Sequence, residues 1–213
     1  MQMLLEKSDI DVNKAINDSS PSCDRWSYQS YHGMTPLMMA SKPGGTEMVE
    51  LLLSRPELDV NLALDTGPGR CVGFDGQGAT ALSIASKYGK NKVVKLLLAN
   101  NRTLVNKVDA VGRTPLSVAC EMGREEVVEL LLSYPETDVT KPDDSGQTPL
   151  MKAASGHGEY QVVTLLLRCP KTDFELAALH WAKSVKRDRL MEMIESRSNL
   201  MKLGHTCRSN RFG

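Results

Sequence analysis

The chain has 213 residues, with 26 basic side chains against 26 acidic ones and 5 cysteines. A formal net charge of zero removes any whole-molecule electrostatic case for nucleic acid or an acidic membrane as partner. Met1 to Leu5 is too short an apolar run for a secretory signal, and no later run reaches the length of a membrane span, so the cytoplasm or nucleus is the expected location.

In chain order, the first segment is MLLEKSDIDVN from Met3 to Asn13, which matches LLLSRPELDVN from Leu51 to Asn61. The chain therefore begins inside a repeated unit, and either a longer protein or a degenerate terminal unit is expected. The next anchors are the tripeptides Thr35-Pro36-Leu37, Thr80-Ala81-Leu82, Thr114-Pro115-Leu116 and Thr148-Pro149-Leu150, at intervals of 45, 34 and 34 residues. A weaker fifth anchor, Ala177-Ala178-Leu179-His180-Trp181-Ala182, follows after a shortened interval. At the first four anchors threonine is a natural helix N-cap, and at three of them proline suits the first helical position, where no N–H is needed. Each short first helix ends near a glycine such as Gly123, which can take the left-handed conformation. A second helix follows at Met48 to Leu53, Val93 to Leu98, Val127 to Leu132, Val162 to Leu167 and Leu190 to Ile194. Val127, Val128, Leu130, Leu131 and Leu132 form more than one narrow apolar stripe, so this helix needs cover on two flanks, which stacked copies provide.

The pattern T-P-L-x-x-A-x-x-x-G, then V-V-x-L-L-L, then Asp59-Val60-Asn61 resembles the ankyrin repeat over nearly the whole chain. The resemblance implies an all-α solenoid of stacked helix-turn-helix units with hairpin loops. The expected divisions are a partial first repeat with an aromatic-rich insertion at 1–31, repeats at 32–63, 77–108, 109–142 and 143–174, and a Gly-rich hairpin insertion at 64–76. A degenerate capping repeat at 175–202 and a flexible tail at 203–213 complete the chain. The chain departs from the family pattern at Arg55-Pro56, Tyr134-Pro135 and Cys169-Pro170, where proline stands in place of glycine as the helix stop. Asp109 and Asp143 are expected to form the turns before Gly112-Arg113-Thr114 and Gly146-Gln147-Thr148.

The resemblance also directs attention to hairpin tips and to the concave face of the inner helices as partner-binding surfaces. Two connectors are long: the first carries Trp26, Tyr28 and Tyr31, the second Gly67, Pro68, Gly69, Gly73 and Phe74. Aromatic side chains on a tip suit interface anchors; the competing reading has Trp26, Tyr28 and Tyr31 folding back over the apolar end of the first unit. Along the inner helices the positions expected to face the groove are Met39, Lys42, Ile84, Lys87, Tyr88, Val118, Glu121, Met122, Lys152 and Ser155. Their mixture of methionine, tyrosine and charge suits an adaptable protein-binding patch.

Chemistry-bearing motifs are scarce. The glycines from Gly67 to Gly78 lack phosphate-loop spacing, the four histidines are scattered, and His205 with Cys207 is half of a metal site at most. The five cysteines are odd in number and never paired as Cys-x-x-Cys, which fits reduced thiols. His180 sits where the family often carries a structural histidine. From Glu175 to Gly213 eight basic residues face four acidic ones; a polar face on the terminal repeat accounts for them, with a basic site for an acidic partner as the sharper alternative. The expected function is a noncatalytic protein-interaction module or adaptor, monomeric, with a protein partner and no cofactor or metal. The alternative is a regulatory or targeting fragment of a larger enzyme, of kinase or ubiquitin ligase type, whose catalytic region lies outside these residues.

Overall fold

The computed structural model describes residues 11–16, 33–65, 76–155 and 160–169. Within them lie four helix pairs: α1 (Pro36–Ser41) with α2 (Thr46–Leu53), α3 (Ala81–Lys87) with α4 (Asn91–Ala99), α5 (Pro115–Glu121) with α6 (Glu125–Ser133), and α7 (Pro149–Ser155) with α8 (Tyr160–Arg168). No strand occurs among the described residues. The predicted degenerate repeat and tail, and the histidines at 32, 157, 180 and 205, lie outside them.

The first helix of each pair starts for a local reason. Thr35, Thr80 and Thr114 hold extended backbone, and their hydroxyls accept from the amides of Met38, Ser83 and Ser117 at 3.4, 3.2 and 3.1 Å. Thr148 does the same for Met151 at 3.4 Å. Each hydroxyl satisfies one amide that the first helical turn leaves unpaired. Gly89 and Gly123, both at φ +65°, turn the chain back into the second helix.

Two layers result. Helices α1, α3, α5 and α7 stack on one another as an inner row, and α2, α4, α6 and α8 stack as an outer row. Small buried residues on the inner row, among them Ser41, Ala85, Ser86, Ala119, Cys120, Ala153 and Ala154, let neighbouring helices pack closely. The outer row contributes Val49, Leu52, Val93, Val94, Leu97, Val127, Val128, Leu131, Val162, Val163 and Leu166 to one continuous apolar core. In α6, Val127, Val128 and Leu131 are wholly buried while Leu130 and Leu132 are half-buried, because α4 and α8 cover opposite flanks.

Polar contacts tie each unit to the next. Asn13, Asn61 and Asn106 end successive units. Each side-chain amide donates to one backbone carbonyl of the following unit and accepts from an amide two residues further along. The partners are Glu57 and Asp59 at 2.8 and 2.8 Å, Arg102 and Leu104 at 2.7 and 2.7 Å, and Glu136 and Asp138 at 2.6 and 2.9 Å. Arg102 adds a second tie, its guanidinium donating to the carbonyls of Leu53, Arg55, Pro56 and Leu58 at 3.0 to 3.4 Å. These carbonyls lie at and beyond the end of α2, where no further helical turn supplies a donor. Replacing Arg102 with Ala is expected to lower stability by about 1–2 kcal/mol, since charged donors to carbonyls are worth more than neutral ones. Arg102→Lys should restore only part of it, because an ammonium cannot fork across several acceptors; urea-melt midpoints of the two variants check both statements.

The hairpins stack as well. The Ala110 amide donates to the Gln77 carbonyl at 2.9 Å, and the Asp144 amide to the Val111 carbonyl at 3.1 Å. The two long connectors leave through closed necks: Ile16 pairs with Gly33 and Met34, and Leu64 with Gly78 and Ala79, through backbone bonds of 2.8 to 3.0 Å.

Candidate partner-binding surface

The inner row exposes one edge of each helix together with the turn that follows it. Of the residues expected there, Met39, Lys42, Lys87, Tyr88, Glu121, Met122 and Lys152 are half-buried and Ser155 is exposed. Ile84 and Val118 are a correction. They are 1% and 5% exposed, and neither is available to a partner. Both occupy the repeat position of Met39 and Lys152, but they lie in α3 and α5, each with an inner helix stacked on both sides. Trp26, Tyr28, Tyr31 and Phe74 lie outside the described residues.

Electrostatics organise the surface that remains. The Lys42 ammonium stands 5.4 Å from the centre of the Tyr88 ring and the Lys87 ammonium 5.8 Å, so one aromatic ring joins two units. In the next unit Arg113 bridges Asp109 at 2.8 Å and Glu121 at 3.1 Å. Burial opposes the Arg113 charge, but the bond to Asp109 and the pull of both carboxylates outweigh it and hold the guanidinium above its ordinary value. One unit further, Lys152 pairs with Asp143 at 2.9 Å. Lys152 is therefore held to its own hairpin, where the position alone suggested a groove-facing contact.

Asp109 and Asp143 do what turn residues do. One carboxylate oxygen of Asp109 accepts from the amides of Val111 and Arg113, and one of Asp143 from those of Ser145 and Gln147, all at 2.9 to 3.1 Å. Burial alone would raise the Asp143 carboxyl; the Gln147 amide, the Lys152 ammonium and the Ser145 amide outweigh it and hold the group below its ordinary value. A carboxyl that titrates lower in the native state than in the unfolded chain adds stability in full above the unfolded value, about 3.9, and loses it as pH falls through the native one. The melting temperature is therefore expected to fall below about pH 4, and to fall less steeply in Asp143→Asn, which keeps the amide acceptor but not the ion pair; thermal melts across that range measure the difference.

Three further residues belong to this surface although the repeat pattern did not mark them. The Lys90 stem lies over Gly44, whose Cβ would stand 3.1 Å from Lys90 Cδ, and the Arg124 stem lies over Gly89 at 3.2 Å. Arg124 Nε also donates to the Lys87 carbonyl at 2.9 Å. On the hairpin side Val111 is 52% exposed. The signal for Lys90 and Arg124 was available in the sequence: each follows the glycine that ends a first helix.

Among the described residues no group of three His, Cys, Asp or Glu could hold a metal ion. No described helix is long and apolar enough to cross a membrane. Cys120 is fully buried, and burial pushes its thiol far above the ordinary range, so it behaves as a small apolar side chain.

Comparison with protein families gives one consistent result. A model described as ankyrin repeats (3 copies) matches residues 62–143, and one described as ankyrin repeat matches residues 32–63 and 145–173. The matches cover more than half of the chain and fall on the helix pairs described above. The chain belongs to the ankyrin-repeat family, whose repeats are generally protein–protein interaction modules.

Proposed function

We propose that the chain is a noncatalytic adaptor that holds a partner protein against the exposed edge of the inner helix row and the adjoining hairpin ends. The observation that carries this reading is the half-buried series Met39, Lys42, Lys87, Tyr88 and Met122, set on three consecutive units of a packed scaffold. Tyr88, at the end of its helix, supplies rigid contact area with little ordering cost, the methionines supply an adaptable apolar surface, and the surrounding charges supply specificity. We take the module to act as a monomer in the cytoplasm or nucleus.

Affinity capture with mass spectrometry tests the proposal. A partner recovered by the wild-type chain should be lost at least tenfold in Tyr88→Ala with Met122→Ala, and retained in Lys92→Ala on the outer row. Equal recovery by all three proteins would refute it. Combining Trp26→Ala, Tyr28→Ala and Tyr31→Ala separates two roles for the first connector: a lowered melting temperature means these aromatics cap the fold, and an unchanged melt with lost capture means they touch the partner.

A further inference from the structure

Each hairpin receives the next one along the same edge. The Ala110 amide donates to the Gln77 carbonyl at 2.9 Å, and the Asp144 amide to the Val111 carbonyl at 3.1 Å. Beside each accepting residue stands a glycine, Gly78 or Gly112, both at φ +79°, and the Cβ position of each lies 2.7 Å from the arriving amide nitrogen. A side chain there would hold the two backbones apart. The arriving segments are alike as well: in each, the donor amide follows an aspartate, Asp109 or Asp143, in a turn of the form Asp-x-x-Gly.

The third edge has the same parts. Ser145 stands in register with Gln77 and Val111, and Gly146, at φ +74°, with Gly78 and Gly112. Here the two residues are exposed, and no described atom lies within 4 Å of the Gly146 Cβ position. Among the described residues no hydrogen bond reaches the Ser145 carbonyl. The sequence that follows holds no further copy of the turn: the interval from Thr148 to the anchor at Ala177 is 29 residues instead of 34, and between Asp173 and Ala177 stand only Phe174, Glu175 and Leu176, without a glycine. A second copy of the chain is a poor occupant too, since the Ala110 and Asp144 amides are already engaged within their own molecule.

We propose that the edge at Ser145 and Gly146 is the docking point for a turn of the partner protein of the form Asp-x-x-Gly, which joins the hairpin ladder as its next rung; the inference rests on the adaptor reading and names the kind of segment the partner presents. The amide after the partner's aspartate donates to the Ser145 carbonyl, and the partner backbone crosses the open face of Gly146 as Asp144 crosses Gly112. An unpaired carbonyl on such an edge is a template for main-chain pairing, so the partner is read by its backbone shape more than by its side chains. One bond of this kind is weak by itself. The edge therefore fixes the register of a partner whose larger contacts lie on the inner helices.

The test uses the full chain, labelled with nitrogen-15 and titrated with a cyclic peptide containing Asp-Ala-Val-Gly-Arg-Thr, the turn from Asp109 to Thr114. Amide chemical shifts are expected to move at Ser145, Gly146 and Gln147, and not around Gln77 and Val111, whose carbonyls are already taken. The dissociation constant should rise at least fivefold when the peptide's alanine amide is N-methylated, which removes the donor and leaves the protein untouched. Gly146→Asn should have the same effect, because asparagine tolerates the left-handed backbone yet puts a Cβ in the partner's path. Circular-dichroism melts show whether that variant is folded; if it is not, the methylated peptide on the wild-type chain decides. No shift at millimolar peptide, shifts centred elsewhere, or equal binding of the two peptides would overturn the proposal. So would photocrosslinks from p-benzoylphenylalanine at position 145 to residues 170–213 of the same molecule or to a second copy. A captured partner retained by Gly146→Asn but lost in Tyr88→Ala with Met122→Ala sinks the edge and leaves the adaptor reading standing. Peptide binding at the edge with no partner captured sinks the adaptor reading instead.

Discussion

Leu131→Ala is expected to cost about 2–5 kcal/mol, the range for removing a buried leucine whose surroundings cannot collapse into the space left. Leu131 is wholly buried on α6, and α6 has a neighbour stacked on each side in the outer row. In a solenoid each unit is stabilised chiefly by the units beside it, so a cavity in a middle unit weakens two interfaces at once. The thermal transition followed by circular dichroism should therefore move down on the order of 10 °C and become broader, as the two sides of the stack separate in melting. Leu130→Ala, one residue away and half-buried, should shift it much less. An unchanged melt in Leu131→Ala would contradict the account of how this fold is held.

Gly112→Ala is the second large effect. Gly112 sits at φ +79° in the hairpin that begins at Asp109, and a Cβ there would stand 2.7 Å from the Asp144 backbone nitrogen and 2.5 Å from its Oδ1. The left-handed backbone alone costs an ordinary residue about 1–2 kcal/mol. The contact with Asp144 adds to that, because the carboxylate can swing aside but the backbone nitrogen of the next hairpin, at 2.7 Å, cannot. That same amide donates to the Val111 carbonyl at 3.1 Å, so displacing it breaks the link between hairpins. Gly146 supplies the comparison: its φ is +74°, and no described atom lies within 4 Å of its Cβ position. Gly146→Ala should show the backbone cost alone, and chemical-denaturation midpoints should separate the two substitutions by at least about 1 kcal/mol.

Much of the fold was legible in the sequence because its causes are local. Thr35, Thr80, Thr114 and Thr148 cap helices with amides three residues away, and the apolar spacing of Val127, Val128 and Leu131 lies within a single helix. The surface was less legible. Met39, Ile84, Val118 and Lys152 share one repeat position, yet two are buried and two half-buried, since exposure there depends on which neighbours lie across it. The contacts of Lys42 with Tyr88, of Lys90 with Gly44 and of Arg124 with Gly89 were illegible for a related reason: they form only when the units stack.

The sequence by itself determined the family, the helix pairs, the order of the units and the turns at Asp109 and Asp143. Each of these depends on residues close along the chain, whose signals repeat and so reinforce one another. Only the tertiary structure decided that Asn13, Asn61 and Asn106 bind the next unit, that Arg102 closes the end of a helix more than forty positions earlier, and that one tyrosine gathers lysines from two units. The contacts between units among these join residues 30 to 49 positions apart, and their pairing is set by the distance and angle at which one helix pair rests on another, a quantity written in no single unit.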